Sequence, residues 1–238
     1  MSLRRFFLLA ILASSILTAW TVCPAQRAEV VVLSTLHQFH QTNKGYSFSE
    51  LSRIIERVKP DILAVELTPD AAKYRTEQKT KLEYPNSVFA LIDKHRYTVV
   101  AMEPAEPEYS RLIGILRESN AEIGKNYPQK QEAFNIYSDR LYKYLFAKWT
   151  NARNVNSPKT DALFEVKHDF QNALFGEREE MVWNSWNSHF LKQILAAASN
   201  HRGRRILVLV GVEHAYWLRD RLRGSNEIRY RDVLEFLK

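Results

Sequence analysis

Cysteine and glycine are the scarce residues of this 238-residue chain. A single cysteine, Cys23, excludes a disulfide framework and any zinc or iron–sulfur site built from several thiolates. The seven glycines stand at 45, 114, 124, 176, 203, 211 and 224, never close enough to spell a dinucleotide-binding GxGxxG or a Walker loop. No histidine is followed by glutamate, so the HExxH zinc-protease helix is missing, and there is no GxSxG nucleophile elbow. Charge of one sign is modest too: 34 Lys and Arg against 27 Asp and Glu give a net +7. The basic cluster at 202–205 (RGRR) has no interleaved aromatic residue, which argues against nucleic acid as a partner. What remains is 45% hydrophobic with 12% aromatic residues, enough for a domain core and too much for disorder.

The longest apolar run is at the start. Arg4 and Arg5 precede an almost wholly apolar stretch over 6–17, and Cys23-Pro24-Ala25 follows. That order is the pattern of a cleavable export signal over residues 1–25. The stretch is short for a spanning helix, and no second run of about 18 apolar residues follows, so no stable transmembrane anchor is expected after cleavage. The twin-arginine route matches Arg4-Arg5-Phe6-Phe7-Leu8 in part, while the strongly hydrophobic stretch suits the general secretory route better. Val22 before Cys23 suits a lipoprotein anchor poorly. The expected product is a periplasmic or secreted chain from Gln26, 213 residues long, with net charge +5 and no thiol.

Within 26–238 four apolar runs rich in β-branched residues stand out: 29–33 (EVVVL), 61–65 (DILAV), 97–102 (YTVVAM) and 205–210 (RILVLV). Continuous runs without alternation predict strands buried on both faces, as in a parallel sheet covered by helices. A helix is predicted over 49–58, with Leu51, Ile54, Ile55 and Val58 at helical spacing, Ser47 or Ser49 as cap and Pro60 as stop. A second is predicted over 87–94. Strand, helix, strand, helix, strand is the grammar of an α/β fold, here a central, mostly parallel sheet flanked by helices. Residues 227–233 offer a further edge strand.

Each predicted strand runs into polar chemistry: His37 and His40 after the first, Glu66 after the second, Glu103 after the third, Glu213 and His214 after the fourth. Parallel strands bring such residues to one edge, where open α/β sheets hold their ligands. Imidazoles with carboxylates form a divalent-metal or an acid–base inventory.

Ser34-Thr35-Leu36-His37, Glu66 in AVEL, Glu177-Arg178-Glu179-Glu180-Met181 and Gly211-Val212-Glu213-His214 together resemble the TraB/Tiki superfamily, which also takes in erythromycin-esterase-like and ChaN-like haem-uptake proteins. Its members carry a GxxH motif after an early strand, a Glu after the next, an Arg-containing helix and a second GxxH near the C-terminus. Ser34 departs from the usual Gly, which implies a changed turn there. The resemblance implies metal-dependent peptidase or metal-independent esterase chemistry, or simple haem binding, and it implies a role for Arg178.

Residues 106–200 contain no convincing strand and predict a helical cap inserted before the last core strand. Its aromatic spacing reads mainly as core, with Tyr or Trp available to an apolar ligand. Arg178 is a candidate clamp for a substrate carboxylate or for Glu66; His95, His168, His189 and His201 carry no assigned role. The leading expectation is a His37–Glu66–His214 site holding zinc, manganese or cobalt for metal-assisted hydrolysis of a peptide or ester bond. Glu213 or Glu103 would serve as general base or would fix a His tautomer. A metal-free form uses one His as base on water, oriented by a Glu. The rival class is a binding protein for haem or another apolar ligand, with His40 or a tyrosine as axial ligand.

Overall fold

The computed structural model describes residues 26–237, so the expected export signal lies outside the described residues. Five strands form one all-parallel sheet: β1 (Glu29–Thr35), β2 (Ile62–Val65), β3 (Thr98–Ala101), β4 (Arg205–Gly211) and β5 (Arg229–Arg231), in the order β3-β2-β4-β1-β5. The four apolar runs form β1 to β4, and the 227–233 segment supplies the edge strand β5 opposite the edge strand β3. Burial on both faces follows from the absence of alternation in β1, β2 and β4, whereas β3 lies at the sheet edge and is only partly buried, contrary to the expectation from its apolar run. Val31, Leu33, Leu63, Val65, Leu207 and Leu209 enter one core layer, and Val30, Val32, Ile62, Ala64, Ile206 and Val208 enter the other.

Helix α1 (Phe48–Val58) joins β1 to β2. Ser47 caps it by accepting from the Glu50 N–H, its four periodic apolar residues are buried, and it ends at left-handed Lys59 before Pro60. Between β2 and β3 run α2 (Pro69–Tyr74) and α3 (Phe89–His95), and a π-helical turn, Tyr84–Val88, leads into α3. The helix expected at 87–94 therefore has its entrance earlier, which carries Glu83 and Tyr84 into the interior.

Five helices separate β3 from β4: α4 (Glu108–Asn126), α5 (Pro128–Lys148), α6 (Ala152–Val155), α7 (Pro158–Phe175) and α8 (Glu177–Asn200). Pro128 and Pro158 stand in the first turns of α5 and α7, where a missing N–H costs nothing. Helix α9 (Val212–Arg223) follows β4 with no intervening loop. Among the described residues no helix is long and apolar enough to cross a membrane.

The insertion is tied to the sheet through Arg219 on α9, which is 2% exposed. Its guanidinium donates to Asp161 on α7 at 2.5 Å, to Asn156 Oδ1 at 2.7 Å, to Ser34 Oγ at 2.9 Å and to the Val32 carbonyl at 3.2 Å. Ser34 also donates its N–H to Asn156 Oδ1 at 2.8 Å. Ser34 is thus a buried, hydrogen-bonded strand residue, and no changed turn is needed there. The unusual backbone of the motif is at His37, with φ +51°.

The topology gathers the site. Because β4 inserts between β1 and β2, the C-terminal ends of these three strands are neighbours, and β3 flanks β2. A switch in strand order of this kind opens a crevice at the carboxyl edge.

Candidate active site

His37 begins a 3-10 turn immediately after β1. A left-handed backbone is costly for a residue with a Cβ and persists where the surroundings over-determine it, which happens preferentially at functional sites. Here His37 Nδ1 lies 2.8 Å from Glu83 Oε1, which also accepts the Thr35 hydroxyl at 2.9 Å. A carboxylate can only accept, so the hydrogen-bond pattern assigns the proton to Nδ1 and leaves Nε2 as the basic nitrogen. Nε2 lies 3.7 Å from Glu66 Oε1, beyond hydrogen-bond reach. Burial alone would depress the imidazole pKa, but the Glu83 and Glu66 carboxylates outweigh it and raise the value.

Glu66 follows β2 and is 4% exposed. Its Oε2 accepts the Gly211 N–H at 2.5 Å, and its Oε1 lies 3.2 Å from the Lys81 ammonium. Lys81 also donates to the Glu66 carbonyl at 2.9 Å and to Glu103 Oε1 at 2.6 Å. Burial works to raise the Glu66 carboxyl; Lys81, the two site imidazoles and the Gly211 N–H overcome it and hold the group at about 2. Glu103 keeps a raised pKa because burial outweighs Lys81.

Glu213 and His214 occupy the first turn of α9. Glu213 Oε1 accepts the Tyr142 hydroxyl, and Oε2 accepts Lys167 Nζ at 2.7 Å. His168 Nε2 is 3.1 Å from the same oxygen but off the line of a hydrogen bond. Against the cost of burial, His168 and Lys167 hold Glu213 well below the usual carboxylate range. Both its oxygens are engaged and its basicity is depressed, so the general-base role considered for Glu213 does not suit it. His214 Nδ1 meets Asn187 Oδ1 at 2.9 Å, and burial lowers the ring to about 4, which keeps it neutral. Trp183 stacks on His214 with ring centres 4.6 Å apart and on His168 at 3.6 Å.

Two cavities share Glu213 and His214 as walls. One, of about 300 Å³, is lined by His37, Thr35, Phe39, Tyr142 and Trp149. The other, of about 350 Å³, is lined by Glu66, Lys81 and Glu103 from the strand ends and by Tyr109, Lys167, His168, Trp183 and Trp186 from α4, α7 and α8. The inserted helices thus roof the strand ends.

The sequence-derived residues divide accordingly. His37, Glu66, Glu213, His214 and Glu103 converge. Arg178 does not: it is exposed and ion-paired with Glu122, because the α8 face carrying residues 179, 182, 183 and 186 is the one turned to the cavity. His40 is unavailable as an axial ligand, since Nε2 accepts the Leu36 N–H at 2.9 Å and Nδ1 donates to the Tyr46 carbonyl at 2.6 Å. Glu83, Lys81, Lys167 and His168 were not singled out by the sequence. Their only signal is ionisable residues in segments without periodicity or among helical surface charges.

The carboxylate of the expected His37–Glu66–His214 metal set already has a cation beside it. The Lys81 ammonium is the counter-ion of the Glu66 and Glu103 carboxylates, while Nδ1 of His37 and of His214 are held by Glu83 and Asn187, which leaves Nε2 of each ring as the remaining donor. Among the described residues, no group of three His, Cys, Asp or Glu side chains is arranged to hold a metal ion.

Gly211 is required for space rather than for its backbone, whose φ is −52°. A Cβ there would sit 2.6 Å from His37 Nε2 and 3.3 Å from Glu66 Oε2. Gly211→Ala is therefore expected to displace the imidazole and shift the His37 ring resonances in nuclear magnetic resonance spectra, with a far-ultraviolet circular dichroism spectrum like that of the wild type. Unshifted His37 resonances in that variant would contradict the placement of His37.

No protein family, curated protein or solved structure matches this chain.

Proposed function

We propose that this protein is an exported, metal-independent hydrolase of TraB/Tiki-like type, acting on a carboxylic ester or peptide bond. The observation that carries the reading is His37, held in a left-handed backbone at the cavity wall with Nδ1 on the buried Glu83 carboxylate and Nε2 turned toward Gly211 and Glu66. This is the geometry of an oriented imidazole base. A water between Nε2 and Glu66 would donate one proton to each acceptor. As its oxygen attacks the substrate carbonyl, His37 takes a proton and Glu83 stabilises the imidazolium that forms. The same proton then passes to the leaving oxygen or nitrogen. Lys81 keeps Glu66 ionised and so able to accept from that water.

Export is supported by the composition of residues 1–25, and N-terminal sequencing of the protein recovered from the periplasm or medium should begin near Gln26.

The pH profile tests the base. His37 acts when neutral, and its pKa is raised above the ordinary 6.5, so kcat/KM should climb with pH through a limb centred above 6.5. Glu83→Gln removes the carboxylate that raises it, so the limb should move to lower pH while the plateau falls. A limb that stays in place in Glu83→Gln would remove His37 from the role of base.

A further inference from the structure

We infer that the larger cavity is a subsite for a cationic amine, with Glu179 as its counter-charge. Four carboxyl groups line this cavity, Glu66, Glu103, Glu179 and Glu213, against two ammonium groups. Lys81 is shared by Glu66 and Glu103, and Lys167 is taken by Glu213. Glu179 is left without an ion pair among the described residues. It is 7% exposed, its Oε1 accepts only the neutral Gln171 amide at 2.6 Å, and its Oε2 has no partner. A buried carboxyl group in that state lacks the compensation that buried charges ordinarily have. Burial raises its pKa, and the Gln171 amide and the nearby Lys167 charge offset this only in part.

The surroundings suit an organic cation better than a metal. Glu179 and Trp186 lie seven residues apart on one face of α8 and both line this cavity, with the unpartnered Oε2 buried just behind its wall. Trp186 pairs with Tyr109 of α4, ring centres 5.4 Å apart, while Trp183 is occupied by its stacking on His168 and His214. An aromatic wall beside an unpaired carboxylate binds alkylammonium groups through the ring quadrupole together with charge. A hard metal ion would want several oxygens converging on it, and only one carboxylate is available here.

The inference deepens the hydrolase reading and rests on it for one step: in turnover, the amine belongs to the substrate on one side of the scissile bond. Binding is tested separately from chemistry. Isothermal titration of the mature protein with 2-phenylethylammonium and with neutral 2-phenylethanol should show the cation bound at least about tenfold more tightly, as one unscreened buried charge warrants. Glu179→Gln should erase that preference while leaving the alcohol's affinity unchanged, which also verifies that the cavity is intact. His37→Ala should leave both affinities as in the wild type. Equal affinities for the two probes, no binding of either, or an undiminished preference in Glu179→Gln would each overturn the amine site. The wild-type comparison stands even if the variant does not fold. Preserved amine preference without any hydrolysis would sink the hydrolase reading alone, and hydrolysis without amine preference would sink this subsite alone.

Discussion

His37→Ala is expected to lower kcat/KM for ester or peptide hydrolysis by about 10²–10⁴-fold, the usual contribution of a positioned general base. The size of the loss follows from where the basicity in this cleft resides. Glu66 is held at about 2 by Lys81 and its other partners after burial is overcome, Glu213 has both oxygens engaged, and His214 is lowered to about 4 by burial. Among the imidazoles of the cleft, His37 alone combines a free ring nitrogen with a raised pKa, and Glu103, also raised, lies in the other cavity with one oxygen on Lys81. The position carries a second, opposite effect on stability. With φ at +51°, a Cβ at residue 37 costs about 1 kcal/mol, which glycine does not incur. His37→Gly should therefore be inactive yet about 1 kcal/mol more stable than His37→Ala, a comparison in which both variants lack the imidazole. Urea unfolding of the pair measures it. Equal stabilities would mean that the backbone there is not left-handed in solution.

Arg219→Met should lower the unfolding free energy by about 3–5 kcal/mol, the effect of removing one partner from a buried ion pair. The substitution strips donors from the Asp161 carboxylate, Ser34 Oγ, Asn156 Oδ1 and the Val32 carbonyl at once, and water reaches few of them. Adding Asp161→Leu should recover part of the loss, because the stranded charge is then gone and two apolar side chains replace the pair. The expected readout is a lower urea midpoint in the single variant and a partly restored one in the double variant. A single variant within about 0.5 kcal/mol of wild type would place Arg219 in the ordinary surface class. Because Ser34 lies three residues before His37, the single variant should also lose activity, with part of it regained alongside stability in the double variant.

The strands were legible in the sequence because burial on both faces writes itself as uninterrupted Val, Ile and Leu. The polar residues that terminate those runs were therefore legible too, and His37, Glu66, Glu103, Glu213 and His214 meet at one sheet edge. Glu83 and Lys81 were not. They sit in a stretch whose composition, KTKLEYPN, reads as a solvated loop, and only the π-helical turn after Glu83 turns that segment inward. Arg178 was misplaced for a reason that helix geometry supplies. Trp183 and Trp186 mark the buried face of α8, which returns at Val182 and Glu179 and leaves Arg178 outside. His168 hid among helical charges, since one histidine on α7 carries no pattern of its own. A list of His and Glu residues also does not reveal Lys81, the lysine that folds in among them and pairs with Glu66 and Glu103.

The most direct measurement is hydrolysis of a p-nitrophenyl ester series and a fluorogenic peptide library by the mature protein in excess chelator, beside His37→Ala and a sample reloaded with zinc, manganese or cobalt. The His37–Glu83 account requires turnover that is indifferent to chelator and added metal and is lost in His37→Ala. Activity abolished by the chelator and restored by a divalent metal, or retained in His37→Ala, would contradict it.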